Sequence, residues 1–257
     1  MKNAIVTGAY GAIGKEIAKG LVAHNYNLYL VGRDKESLHE LKREFRLINS
    51  ETNVQISCVD LSNKIGIFNF AKSVHHNIDV LINNAATAPV NRIESDEGIE
   101  MQWATNVLGY YWMITAFKNH LLDSQNPRVV NVASYWAGGL DLDDPEFKFR
   151  TYNNDLAYRQ SKQADRMLTY GLADEYKHKI SINSCHPGDA NSKLSNDLGF
   201  GGSETAKRAA YTPLILATTG LGVENSGKYF EHGKLSSCRF KGQKSEIKKL
   251  LELCQHY

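Results

Sequence analysis

The chain has 257 residues, 42% of them hydrophobic and 23% charged, and its 30 basic and 28 acidic side chains leave a net charge of +2. That balance lacks the basic excess of a protein whose main partner is nucleic acid, and the apolar content is that of a globular chain. No apolar run reaches the ~18 residues of a spanning helix; the nearest, Thr212 to Val223, is broken by Thr218, Thr219 and Gly220.

Met1-Lys2-Asn3 leads straight into an apolar run, so no targeting peptide or membrane anchor is expected, and a cytoplasmic address follows. Short β-rich runs recur at Asn3–Thr7, Asn27–Val31, Val54–Val59, Val80–Asn83, Val129–Ala133, Ile180–His186 and Lys228–Glu231. They are largely apolar without strict alternation, as strands covered on both faces must be. Between them lie helical periods: Ile13, Ile17, Leu21; then Leu38, Leu41, Phe45; then Ala164, Met167, Leu168, Leu172; and at the end Ile247, Leu250, Cys254. Such alternation implies right-handed crossovers, hence an α/β chain with a doubly wound parallel β-sheet (a Rossmann fold) of about seven strands flanked by helices on both faces. No Pro/Ser/Gly linker divides it, so residues 1–257 read as one nucleotide-binding domain with a C-terminal helical tail at about 241–257. The lysines of that tail (Lys241, Lys244, Lys248, Lys249) read as a solvated helix face.

Cys58, Cys185, Cys238 and Cys254 are scattered, with no Cys-x-x-Cys pair, and the nine histidines make no His-x-x-x-His pair. Free thiols in a reducing compartment and no metal site are the expectation.

The first strand ends in Thr7-Gly8-Ala9-Tyr10-Gly11-Ala12-Ile13-Gly14, and a helix follows at once. Glycines there allow a tight turn and close backbone approach, and the helix N-terminus offers free N–H groups to a pyrophosphate. A glycine cluster alone is weak, since a turn that merely packs would look the same; its place after the first strand of a βαβ series adds weight. The second strand ends at Gly32-Arg33-Asp34. An acidic residue at the first of these would accept the ribose 2′-OH of NAD(H), whereas an Arg accommodates a 2′-phosphate. The expectation is NADP(H), with NAD(H) second.

Further motifs stand in order: Asp60-Leu61, Asn83-Asn84-Ala85-Ala86, Asn106, Ser134, Tyr158-Arg159-Gln160-Ser161-Lys162 and His186-Pro187-Gly188. A lone Tyr-x-x-x-Lys means little among 13 tyrosines, but the ordered set resembles the short-chain dehydrogenase/reductase family across nearly the whole chain. The long interval from Ser134 to Tyr158 and the Gly227-Lys228-Tyr229-Phe230 strand look like its retinol-dehydrogenase-like branch. Ala12 and Ala86 stand where family glycines would, each adding a methyl beside the cofactor. The Gly8, Gly11, Gly14 spacing is that of the extended branch, for whose substrate domain 257 residues leave no room.

The resemblance implies an oxidoreductase that interconverts a carbonyl and an alcohol on a small-to-medium apolar substrate. Tyr158, Lys162, Ser134 and Asn106 would be catalytic. Gly8, Tyr10, Gly11, Ala12, Ile13, Gly14, Arg33, Asp60, Leu61, Asn83, Asn84, Ala85, Tyr158, Lys162, Pro187 and Gly188 would bind the cofactor. Tyr158 and Lys162, at i and i+4, share a helix face. A free phenol with a pKa near 10 is a poor base near pH 7, and a neighbouring ammonium and an oxidised nicotinamide would lower it. Ser134 would hold the substrate oxygen, Asn106 a lysine-linked water, and the segment at about 189–205 would form a glycine-hinged substrate lid. Trp136 and Phe200 are candidate substrate walls. Homodimers or homotetramers, with no nucleic-acid partner, are expected. A different-class alternative is a non-catalytic NADP(H)-binding regulator with a protein partner. Intact Asn106, Ser134, Tyr158 and Lys162 weigh against it.

Overall fold

The computed structural model describes residues 1–177 and 179–257. The seven expected runs form β1 (Lys2–Thr7), β2 (Tyr26–Gly32), β3 (Val54–Cys58), β4 (Val80–Asn83), β5 (Arg128–Val132), β6 (Ser181–His186) and β7 (Lys228–Glu231). All seven pair in parallel. An eighth strand, β8 (Lys234–Ser236), completes the order 3-2-1-4-5-6-7-8 by pairing antiparallel with β7. It brings the expected count of about seven to eight. Its Lys-Leu-Ser run carries no apolar signal, and it exists because His232 and Gly233 both adopt positive φ in a two-residue hairpin turn.

Helices α1 (Ala12–Ala23), α2 (Lys35–Ile48) and α3 (Lys64–Ser73) connect the first four strands. A π-helical turn over Trp103–Leu108 runs into α4 (Gly109–Ala116), followed by α5 (Lys118–Leu122), and α6 (Asn154–Glu175) lies between β5 and β6. The β6–β7 connection holds α7 (Lys193–Asp197), α8 (Ala206–Ala209), α9 (Tyr211–Thr218) and α10 (Gly220–Glu224), and the tail forms α11 (Lys244–His256).

The sheet is covered twice, which is why its strands do not alternate in polarity. Ile5, Val31, Leu81, Val129 and Ile182 point to a core closed by α3, α4, α6 and α11. Their neighbours Ala4, Val6, Leu30, Ile82, Val130 and Cys185 point the other way, against α1, α2 and α9. The tail belongs to the first core: Ile247, Leu250 and Cys254 are buried, and a side chain at Gly171 of α6 would run into Leu251. No helix among the described residues is long and apolar enough to cross a membrane.

Phe45 and Phe117 are fully buried in the two separate cores. Phe45→Leu and Phe117→Leu are each expected to cost about 1–2 kcal/mol, and the double variant their sum to within about 0.5 kcal/mol. Urea unfolding of the three variants checks this, and strong coupling would contradict two independent cores.

Candidate active site

Strand order reverses between β1 and β4, so the loops leaving their C-terminal ends diverge and open a crevice. A cleft of about 470 Å³ lies there. Of the expected cofactor residues, Gly8, Tyr10, Gly11, Ala12, Ile13, Gly14, Arg33, Asp60, Leu61, Asn84 and Ala85 line it. Gly8 has φ +62°, and any side chain there would press on Ala85. A methyl on Gly14 would run into the Gly8 carbonyl oxygen, so α1 packs against its own turn only without one. Thr7 fastens the opposite wall: its hydroxyl accepts from the Asn84 and Ala85 N–H groups at 2.9 and 3.1 Å. Gly11 is the N-cap of α1 and no side chain caps the helix, nor is its first turn acidic. Its free backbone donors, facing a cleft that glycines keep open, fit a pyrophosphate.

At the far end the Tyr10 ring packs over Gly32, where any side chain would collide with it. Arg33 is exposed, its guanidinium 3.8 Å from Asp60 across the cleft mouth. Asp34 is turned away as the N-cap of α2, accepting from Glu36 N, Ser37 N and Ser37 Oγ.

The second group sits beyond this cleft, at the end of β5. Tyr158 and Ser134 are both buried there. Burial pushes the Tyr158 phenol well above the ordinary tyrosine range, and the Asp165 carboxylate adds to this, against a smaller pull from Ser134 and a further push from Asp189. The Lys162 ammonium, 1% exposed, donates to Asp165 Oδ2 at 2.8 Å and to Val132 O at 3.1 Å. Its charge is already neutralised by a buried partner. Neither Lys162 nor Tyr158 lines the cleft, and Pro187 and Gly188 close the turn after β6 outside it. Asn83 departs further: its amide is fully buried, donating to Asn131 Oδ1 at 3.0 Å beneath the cleft.

Asn106 lies in the π-helical turn, a form often found at functional sites. Its amide donates to Thr87 O and Ser161 Oγ and accepts from Thr87 N, clamping the loop after β4 onto α6. The turn is held by buried Glu100, which accepts from Gln102 N and Trp103 N and whose carboxyl burial pushes up to about 7. His186 is pushed down to about 4, chiefly by burial, and stays neutral.

Sequence reasoning missed Gly32, Val59, Thr87, Ala88 and Thr105 as cleft residues. Position after a strand's C-terminal end was the available signal. The expected lid carries α7, whose Ser192, Lys193, Leu194 and Asp197 close the cleft opposite the glycine turn. Asp165 was missed outright, since nothing in its spacing from Lys162 separates it from a surface carboxylate.

The model of the family described as short chain dehydrogenase matches residues 2–199. The chain belongs to that family. Retinol dehydrogenase 13 of Homo sapiens is 30% identical over 251 residues, covering 90% of this chain and 76% of that protein, and this similarity places the chain in the retinol-dehydrogenase-like branch. A crystal structure of an uncharacterised protein from Mycobacterium paratuberculosis superposes with a TM-score of 0.83 at 24% identity, over 100% of this chain and 92% of that one. The Pseudomonas aeruginosa RhlG/NADP complex does so at 0.71 and 23% identity, over 90% and 94%. The chain is thus an oxidoreductase with a nicotinamide cofactor and a small-molecule substrate.

Gly14→Ala is expected to weaken nicotinamide-cofactor binding by about ten-fold or more, because the added methyl prises α1 from the turn that aims its N–H groups. Fluorescence titration with NADPH, alongside a melting curve, reads both the affinity and the packing loss.

Proposed function

We propose that this oxidoreductase uses NADP(H) to interconvert a carbonyl and an alcohol on a small-to-medium apolar substrate, with Tyr158 as general acid and base. The observation that carries the reading is the buried cluster at the end of β5: Lys162 Nζ lies 5.8 Å from the Tyr158 ring centroid and donates to Val132 O, two residues before the buried Ser134. When bound, the cofactor supplies or accepts hydride. Tyr158 gives its phenolic proton to the substrate oxygen during reduction and takes it back during oxidation. Ser134 Oγ holds that oxygen, and Lys162 anchors the same face of α6 to Val132 O. Asn106 keeps the loop after β4 and helix α6 in fixed relation, so the two halves of the site stay aligned.

Preference for a 2′-phosphate rests on three residues. The Tyr10 ring excludes a carboxylate from position 32, Asp34 is committed to its helix cap, and Arg33 is left as the group facing a ribose. The solved RhlG relative contains NADP, in keeping with this. The apolar substrate class rests on Tyr135, Trp136 and Phe200, which are large and exposed. Tyr135 and Trp136 follow Ser134 directly, and Phe200 lies on the segment 189–205, which we read as a lid. Because α11 covers α6 around Gly171, a homodimer or homotetramer would form through other surfaces. A cytoplasmic address belongs to the same reading, supported by four free cysteines.

Tyr158→Phe is expected to keep NADPH affinity within about two-fold and lose about 10²–10⁴-fold in turnover. NADPH oxidation with a panel of aldehydes and ketones tests it; undiminished turnover would remove Tyr158 from the mechanism. Arg33→Ala is expected to weaken NADPH binding about ten-fold or more while leaving NADH binding unchanged. Equal losses for both would overturn the NADP(H) assignment.

A further inference from the structure

Asp165 is a buried acid in the middle of α6, one turn beyond Lys162 and two beyond Tyr158. It is fully buried, and its Oδ2 accepts from the Lys162 ammonium at 2.8 Å. Its Oδ1 is also buried and has no hydrogen-bond partner among the described residues. An unpartnered carboxylate oxygen in a protein interior is costly, so its presence needs a reason beyond packing. The backbone there is pinned. Thr169 Oγ1 donates to Asp165 O, Asn131 Nδ2 donates to Thr169 Oγ1, and Asn83 Nδ2 donates to Asn131 Oδ1, a chain running from α6 through β5 to β4. The carboxylate is thus held where it can meet Lys162.

We propose that Asp165 is a positioning residue for the reaction proposed above: it seats the Lys162 ammonium against Val132 O and cancels the charge that would otherwise stabilise a Tyr158 phenolate. Lys162 Nζ lies 5.8 Å from the Tyr158 ring centroid and 5.0 Å from that of Tyr110. Unopposed, a cation at that range in a buried site would favour the phenolate strongly. Paired with Asp165, it presents a dipole instead of a charge. Tyr158 therefore stays a protonated donor over a wide pH range. Reduction, which spends the phenolic proton on the substrate oxygen and regains it from water, is supported at neutral pH. Oxidation, which needs the phenolate first, waits for alkaline pH.

Other groups face this pair from each packed element. Tyr110 comes from α4, Cys185 from β6 and Cys254 from α11; burial holds all three neutral by pushing each upward. Tyr229 of β7 stacks on Arg166, with Glu231 beyond it, and Arg166 donates to Ser134 O. Asp189, after β6, acts on Tyr158 in the same direction as Asp165. The π-helical turn carries no titratable side chain, and Arg128 of β5 is engaged at the opposite strand end with Thr219 O. Burial pushes the Asp165 carboxyl up to about 7 against the pull of Lys162. Above that pH Asp165 is ionised and the cancellation holds through the alkaline range that oxidation needs; below it the buried Tyr158 is protonated in either case.

The test is Asp165→Asn, which keeps the shape and removes the charge. Tyrosine labelled with ¹³C at Cζ reads phenol ionisation directly in the protein without cofactor, Tyr158 being identified by the signal missing in Tyr158→Phe. In Asp165→Asn the Tyr158 signal is expected to move toward phenolate about one pH unit or more below the wild type. The alkaline rise of alcohol oxidation is expected to shift down by a similar amount. Identical titrations and identical pH profiles would overturn the proposal. If Asp165→Asn does not fold, the double variant Lys162→Met/Asp165→Leu decides: with the two charges already cancelling, its Tyr158 titration is expected to match the wild type, and a rise of about one pH unit or more overturns the proposal. The underlying reading fails separately, by turnover surviving in Tyr158→Phe. If that variant is inactive and Asp165→Asn leaves the profile unmoved, only the role of Asp165 is lost.

Discussion

The site depends on how α6 is seated against the C-terminal end of β5. Val132 O, the last carbonyl of that strand, accepts from both Lys162 Nζ and Tyr110 Oη. This joins strand, crossover helix and the helix after the π-turn at one atom. Because all three groups are buried, losing any of these bonds would strand a polar group away from water, so the arrangement has little freedom to drift. The positions of Tyr158, Ser134 and the cation beside them are consequences of that seating.

The two halves of the site are built on different physics. The cofactor cleft is an absence: glycines at turns, a helix with no side-chain cap and a crevice left by a reversal of strand order. It offers backbone dipoles to an anion and needs little net charge, which suits a chain carrying only +2. The end at β5 is the reverse, a crowd of buried polar side chains in which a phenol, an ammonium and a carboxylate lie close together. Asn106 links the halves by gripping the Thr87 backbone with one edge of its amide and Ser161 with the other.

Much of this was legible before folding was considered. Seven strands were readable because a sheet covered on both faces demands near-continuous apolar runs. β8 was not, because a three-residue edge strand buries too little to leave a pattern. The cleft's glycines were readable because positive φ and close approach exclude other residues. Asn83 was placed on the cofactor floor by its neighbours in the motif, yet its amide turns inward to Asn131. Motif order carries which residues are near one another, but not which way a side chain points.

The sequence by itself determined the family, the parallel sheet, the position of the glycine turn and the identity of the Tyr-Lys pair, because each is written in local spacing or in the period of apolar residues. Only the tertiary structure decided which partners those groups meet. Asp34 could have served a ribose but caps a helix, and Lys162 could have lowered a phenol's pKa but is bound to Asp165. Both outcomes follow from burial and from partners brought together across the fold, and electrostatic energy depends on distance and dielectric in space, not on separation along the chain.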